Sequence, residues 1–294
     1  MRLFRLRPLG LVAGAFLVSL LASAAEAAPI GVVAAENFYG DVARQIGGGG
    51  VSVTSILENP NQDPHLFEAS PSVARAVAAA RIVVYSGIDY DPWMEKLIAA
   101  SPGERSVIVV AALIGRKSGD NPHIWYDPAT MRIFAARFAA AVGAADPAHK
   151  ADFAANLARF DASLAPLEAK IAALRARLAG TPVTATEPVF GEMFARLGMV
   201  VRDMPFQMAV MNDTEPAAKD VAAFENDLRQ HRVRLLVYNA QASDPVAEKM
   251  EKIARQSGVP VVGASETEPP GKDYQHWVAA ELDAVDHALP AASH

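Results

Sequence analysis

Residues 146–182 read DPAHKADFAANLARFDASLAPLEAKIAALRARLAGTP, and their spacing decides how the rest of the chain is divided. Phe153, Leu157, Phe160, Leu164, Leu167, Ile171, Leu174 and Leu178 alternate steps of four and three, which places them on one face of a helix. Asp146-Pro147 is a start signal, a capping side chain followed by a proline whose missing N–H is not needed in a first turn, and Gly180-Thr181-Pro182 is a stop. About 33 residues rising 1.5 Å each make a rod of about 50 Å, enough to run along a two-lobed body and stiff enough to oppose wide hinge opening. A stripe with this repeat also suits a coiled-coil dimer. One helix lying lengthwise against two lobes of its own chain uses the same stripe, and a monomer is expected.

On either side of the rod, short apolar runs alternate with longer amphipathic ones. Before it, strands are expected at Ile30 to Ala34, Val51 to Leu57, Ile82 to Tyr85 and Val107 to Ala111. Helices are expected at Phe38 to Ile46, Pro71 to Ala79, Pro92 to Ala100 and Pro128 to Val142. Ser70-Pro71, Asp91-Pro92 and Asp127-Pro128 read as capping residue plus first-turn proline. After the rod the alternation restarts, with strands near Val183 to Thr186, Val200 to Met204, Leu235 to Asn239 and Val259 to Ala264. The matching helices are Val189 to Leu197, Pro216 to Gln230, Pro245 to Gln256 and Tyr274 to Leu289. Strand–helix alternation predicts an α/β fold of two lobes, each a mainly parallel sheet flanked by helices, joined by one long rigid backbone helix.

The first 27 residues have the form of a secretory signal peptide. Arg2, Arg5 and Arg7 precede an apolar run from Leu9 to Leu21, and small residues at Ala25-Glu26-Ala27 offer a cleavage site. The run is shorter than the roughly 20 residues that a membrane span needs. The expected division is therefore 1–27 signal peptide, 28–145 N-terminal α/β lobe, 146–180 linking backbone helix and 181–294 C-terminal α/β lobe. Cleavage after Ala27 takes three arginines and one glutamate from totals of 27 basic and 33 acidic residues, leaving a formal charge of about −8. An acidic protein of this kind has no basic face for nucleic acid, so no nucleic-acid partner is expected. With no cysteine in the chain, an exported protein has no disulfide, no thiolate ligand and no lipid-modified cysteine. A freely diffusing periplasmic protein is expected. The Gly47 to Gly50 run reads as a helix end and turn, and neither it nor Gly271-Lys272-Asp273 completes a phosphate loop.

Four ligand candidates follow strands. In open α/β sheets, ligands bind beyond the carboxyl ends of the strands. His65 ends Asn59-Pro60-Asn61-Gln62-Asp63-Pro64-His65, a loop stiffened by two prolines after the second strand, and His123 lies in Asn121-Pro122-His123-Ile124-Trp125-Tyr126-Asp127-Pro128. Glu187 closes the strand Val183 to Thr186, and Glu266 lies in Ser265-Glu266-Thr267-Glu268 after the last strand, with Glu268 its rival and Glu215 a weaker candidate. Two imidazoles and two carboxylates make a divalent-metal site. The plainer alternatives are a surface histidine at His65, a ring in an aromatic patch with Trp125 and Tyr126 at His123, and helix capping at Glu187. Asp63 and Asp127 are candidates to orient the imidazoles, Asp127 equally as a cap. His149, His231, His276, His287 and His294 read as solvated, and Phe206, Met208, Met211 and Trp277 as core or cleft wall.

With these residues in hand, the chain resembles the periplasmic metal-binding component of zinc and manganese ABC importers, the ZnuA and TroA cluster with a rigid helical backbone. Asn61-Gln62-Asp63-Pro64-His65-Leu66-Phe67-Glu68, Asn121 to Pro128 and Glu187-Pro188-Val189-Phe190-Gly191 match the first three ligand regions of that family, and the resemblance spans essentially the whole chain after the signal. It implies metal ligands His65 and His123 from one lobe, Glu187 and the carboxylate near Glu266 from the other, and a membrane permease as partner. Zinc-specific members often carry histidine where Glu187 stands and a His-rich acidic loop before the second histidine, where this chain has Arg116-Lys117-Ser118-Gly119. The fourth-ligand loop of the family more often offers aspartate than Glu266. Nitrogen and carboxylate ligands suit Mn²⁺ and Zn²⁺ alike.

The expected function is a non-enzymatic carrier with no catalytic cofactor, capturing a divalent transition metal between two lobes and delivering it to an ABC permease. Binding needs neutral imidazoles and ionised carboxylates, so it is expected to weaken as the pH falls through the ordinary histidine range near 6.5. A secreted metal-dependent hydrolase with the same ligands is the enzyme alternative, though the chain has no His-Glu-x-x-His helix. An organic-solute-binding protein or adhesin is the third, and calls for a roomier, more aromatic cleft.

Overall fold

The computed structural model describes residues 28–242 and 244–290. The proposed signal peptide and His294 lie outside the described residues. The first half runs β1 (Ile30–Glu36), α1 (Asn37–Gly47), β2 (Val51–Leu57), α2 (Pro71–Ala79), β3 (Ile82–Tyr85), α3 (Pro92–Ala100), β4 (Ser106–Val109), α4 (Val110–Leu113) and α5 (Pro128–Ala145). Then come α6 (Lys150–Ser163) and α7 (Ala165–Leu178). The second half runs β5 (Pro182–Ala185), α8 (Gly191–Leu197), β6 (Val200–Val201), α9 (Met204–Met211), α10 (Ala218–Arg229), β7 (Leu236–Asn239), α11 (Pro245–Gln256), β8 (Val261–Ala264) and α12 (Tyr274–Ala288).

Each half carries a four-stranded parallel sheet, ordered β2-β1-β3-β4 in the first and β6-β5-β7-β8 in the second. Inner strands are apolar and enclosed, as all four residues of β3, Ile82 to Tyr85, are buried, whereas the edge strand β2 exposes Ser52 and Thr54. Since parallel strands share one direction, every loop after a strand emerges on the same edge of its sheet.

The linking rod differs from the single helix expected. It is interrupted at Leu164, between α6 and α7, because Pro166 has no N–H to give the Ala162 carbonyl one turn back. The apolar stripe continues across the interruption: Phe153, Phe160, Leu164, Leu167, Ile171, Leu174 and Leu178 are all buried, and Leu157 is half-buried. Residues of α6 pack on α1 and α5, and those of α7 on α8 and α12. A stripe that also suited a dimer is thus covered by its own chain, at roughly 1.5–3 kcal/mol per fully buried side chain.

Strand β5 ends one residue before the expected Thr186, and two others end earlier by two or more. Val110 and Ala111 belong to α4, and Met204 opens α9, a helix absent from the expected elements, where Asp203 turns the chain at φ 60° and Pro205 occupies the first turn. Ser70, Asp127 and Asp146 cap as expected, and Asp244 caps α11 as well, each accepting a backbone N–H from the turn that follows it.

Asp91 does not cap α3. Its carboxylate turns back to accept the N–H groups of Ser86 (2.6 Å) and Gly87 (2.8 Å). It thereby holds a turn in which Gly87, Ile88 and Asp89 all have positive φ, a strained conformation for the β-branched Ile88. The buried Glu36 carboxyl, at the end of β1, is pushed well above the usual range by burial and by the neighbouring Asp91 carboxylate, which is itself raised by burial to about 6.

An aromatic seam fastens the halves. Phe38 stacks on Trp125 at 4.6 Å and meets Trp277 at 5.8 Å, while Tyr126 packs on Phe190 at 5.0 Å. The Tyr274 hydroxyl donates to the Trp125 carbonyl (2.8 Å), and that of Tyr126 to the Ser265 carbonyl (2.6 Å).

Candidate metal centre

Loops from the strand-end edges of both sheets meet between the halves. The one from β2 closes in a tight turn, Pro64–Leu66, capped by Asp63, whose carboxylate accepts the His65 N–H at 2.9 Å. Asp63 therefore shapes the backbone beneath His65, with no hydrogen bond to its ring. The loop after α4 carries His123. Asn121 Oδ1 accepts from both the His123 backbone N–H (3.1 Å) and ring Nδ1 (2.7 Å), which leaves Nε2 as the free lone pair. Asp127, the other orienting candidate, instead caps α5 and pairs with Arg196.

The two Nε2 atoms converge on one oxygen. Glu266 Oε2 lies 3.4 Å from His65 Nε2 and 3.3 Å from His123 Nε2. Neither nitrogen makes a hydrogen bond among the described residues, although both are buried. His65, His123 and Glu266 offer one ligand atom each, all within 4.8 Å of one another, and form the one His and carboxylate group of this kind among the described residues. A tetrahedron of ligands about 2.1 Å from a central ion has edges of about 3.4 Å, so the observed separations fit ligands of one cation. The Tyr90 hydroxyl donates to the same Glu266 oxygen at 2.8 Å, from the end of the strained turn held by Asp91.

Glu187 stands beside this group, not among its three members. It occupies the capping position before the turn Pro188–Phe190, but its carboxylate caps nothing. Its Oε1 accepts instead from the Asn239 side-chain amide, which also donates to Glu266 Oε1. Sheet order explains the arrangement: β7 runs between β5 and β8, so its last residue, Asn239, emerges between the loops that carry Glu187 and Glu266. Glu268 turns away from the group, its backbone bonded on both sides to the Asn37 amide (2.7 and 2.9 Å). Glu215 is exposed, and so are His149, His231, His276 and His287.

Charge is strongly redistributed here. Burial works to raise Glu266, but His65 and His123 hold its carboxyl well below the usual range. Burial likewise opposes a charge on His65, yet Glu266, Glu187 and Asp63 outweigh it and raise the imidazole to about 9. His123 is lowered by burial, and Glu187 is raised to about 8 by burial and by the Glu266 charge. A dication placed among these groups would reverse this balance, replacing the proton on His65 and permitting both carboxylates to ionise.

Asn121, Asn239, Gln241 and Tyr90 are absent from the candidates that the sequence offered. Asn121 had a signal, since it sits two residues before His123 inside the motif. Asn239 ends a strand, the same position that singled out Glu187, but an amide draws no attention as a metal ligand.

The family model for the periplasmic component A of the zinc-uptake complex matches residues 32–288 of this chain. Among curated proteins, the manganese-binding lipoprotein MntA of Bacillus subtilis is 31% identical over 103 residues, 32% of this chain and 33% of its own. A manganese ABC transporter substrate-binding lipoprotein of Streptococcus mitis is 28% identical over 152 residues, 46% of this chain and 48% of its own. The aligned segments thus span between a third and a half of these relatives. Among solved structures, the periplasmic zinc-binding protein TroA from Treponema pallidum superposes with a TM-score of 0.76 at 19% identity, covering 89% of this chain and 99% of that one. The laminin-binding adhesin of Streptococcus agalactiae, in a mutant form, does so with a TM-score of 0.74 at 19% identity, covering 89% and 100%. At these identities the likeness is one of fold.

Proposed function

The chain belongs to the family of the periplasmic component A of the zinc-uptake complex, and on that premise we propose that it captures a divalent transition metal, Mn²⁺ or Zn²⁺, and delivers it to the membrane permease of an ABC importer. The observation that carries this reading is the convergence of two buried, hydrogen-bond-free imidazole nitrogens on one carboxylate oxygen. His65 and His123 serve as ligands from residues 28–145, Glu266 and Glu187 from the part that begins at 181. Glu187 joins when the ion displaces the Asn239 amide from between the two carboxylates. Glu266, not Glu268, is the fourth-loop ligand.

A binding role is supported over hydrolysis by enclosure. His123, Glu187 and Glu266 are at most 2% exposed and only the His65 side chain, at 18%, meets solvent, which leaves little room for a substrate beside the ion. The same enclosure disfavours an organic solute. The carrier acts as a monomer, and the absence of any cysteine supports a form free in the periplasm, unlike the lipoproteins it resembles. The halves 28–145 and 181–294 act as two lobes about the linking segment 146–180.

Elemental analysis of protein purified without chelator, followed by Mn²⁺ against Zn²⁺ competition, tests the proposal and selects the metal. His65→Ala is expected to lose tight binding of both ions while keeping its circular dichroism spectrum. Unchanged titration calorimetry for that variant would falsify the ligand assignment.

A further inference from the structure

Gln241, just past the end of β7 and 9% exposed, has a side chain that touches both ligand loops. Its Oε1 accepts the N–H groups of Glu266 (2.6 Å) and Thr267 (2.9 Å). Its Nε2 donates to the Thr267 hydroxyl (2.9 Å) and, across the gap between the halves, to the carbonyl of Gln62 (3.1 Å), in the loop that leads to His65. The residue's own backbone N–H is fixed by Asn239 Oδ1 at 2.9 Å, the same side chain that separates Glu187 from Glu266.

We propose that Gln241 is a positioning residue that couples the two halves of the metal site, its oxygen shaping the Glu266 loop and its nitrogen tying that loop to the one that carries His65. The inference rests on the metal-carrier reading above. Two consecutive N–H groups gathered on one oxygen define the turn at Glu266 and so the aim of its carboxylate. A loop of the sequence Ser265-Glu266-Thr267-Glu268-Pro269-Pro270, lying outside any strand or helix, has no ladder of its own to do this. The bond to Gln62 is different in kind, because it joins segments that separate if the halves part. The two ends of one amide therefore act differently, Oε1 on geometry and Nε2 on retention.

Two substitutions separate these effects. Gln241→Met keeps the length and removes every side-chain hydrogen bond. Gln241→Glu keeps an acceptor for the two N–H groups and loses the donor to Gln62. Using Co²⁺ as the probe, Gln241→Met is expected to bind 10–100-fold more weakly with altered visible absorption, the range for removal of a side chain that orients a ligand. Gln241→Glu is expected to keep the wild-type Co²⁺ spectrum but to release the ion to a chelator at least fivefold faster. A role in stability alone moves neither spectrum nor release rate. Wild-type affinity and release in either variant overturns the proposal, and if Gln241→Met does not fold, Gln241→Glu decides. His65→Ala is run alongside: if it loses Co²⁺ while the Gln241 variants behave as wild type, the carrier reading stands and this inference falls. If His65→Ala binds Co²⁺ normally, the carrier reading falls first.

Discussion

Asn121 Oδ1 accepts the ring Nδ1 proton of His123 at 2.7 Å, while the same residue's Nδ2 donates to the Pro188 carbonyl at 2.9 Å, one residue beyond Glu187. One amide thus sets the tautomer of a proposed ligand in the first half and grips the other half beside a second. Removing it frees both. Asn121→Ala is expected to weaken Mn²⁺ and Zn²⁺ binding about 10–100-fold in titration calorimetry. Gly191→Ala is expected to act in the same direction, because a Cβ there meets Asn121 Nδ2 at 2.5 Å. Normal affinity in both variants would show that the Nδ1 contact does not control the ring.

On the proposed ligand set, the pH response is expected to lie higher than ordinary histidines alone imply. Ordinary histidines place the loss of binding near 6.5, but the neighbouring carboxylates raise His65 to about 9 and burial raises Glu187 to about 8. Both groups are protonated at pH 7 without metal, and both must lose the proton to bind it. Affinity is therefore expected to keep rising between pH 7 and 8, by roughly tenfold for each proton displaced per pH unit. Competition titrations at several pH values read this directly, and a flat affinity above pH 7 contradicts it.

Glu281 offers a test on stability alone. Its Oε1 accepts from Ser265 N (2.9 Å), Ser265 Oγ (3.2 Å) and Trp277 Nε1 (2.8 Å), and burial raises its carboxyl to about 7. A carboxyl raised on folding contributes stability that is complete below its unfolded value, near 4.5, and is lost as the pH rises through about 7. Glu281→Gln keeps the acceptor without the ionisation. It is expected to match the wild type at pH 4.5 and to exceed it at pH 8.5, by about 1–2 kcal/mol after relaxation. Urea unfolding at the two pH values checks the difference.

Leu167, on the linking stripe and 3% exposed, packs within its own chain. Leu167→Ala is expected to cost about 2–5 kcal/mol and to leave the sedimentation coefficient unchanged. A loss that depends on protein concentration would instead place the stripe in a dimer interface.

The alternation of strand and helix, the prolines at helix starts and the stripe through residues 146–180 were legible because each is a local periodicity, imposed by 3.6 or 2 residues per repeat whatever the rest of the chain does. Four residues in loops that follow strands were singled out for the same reason. The interruption at Leu164 was missed although Pro166 announced it, because seven-residue spacing survives a proline that removes one backbone bond. Glu266 and Glu268 were indistinguishable in the sequence, two carboxylates in one loop. The tertiary structure separates them, because Gln241 gathers the N–H groups of Glu266 and Thr267 while Asn37 holds the backbone of Glu268. Asn121 over Asp127 and the place of Asn239 between Glu187 and Glu266 likewise depend on which strands are neighbours and how loops close across the halves. Such contacts join residues far apart in the chain, with no repeat to announce them, and they exist only once both sheets and the segment between them have packed.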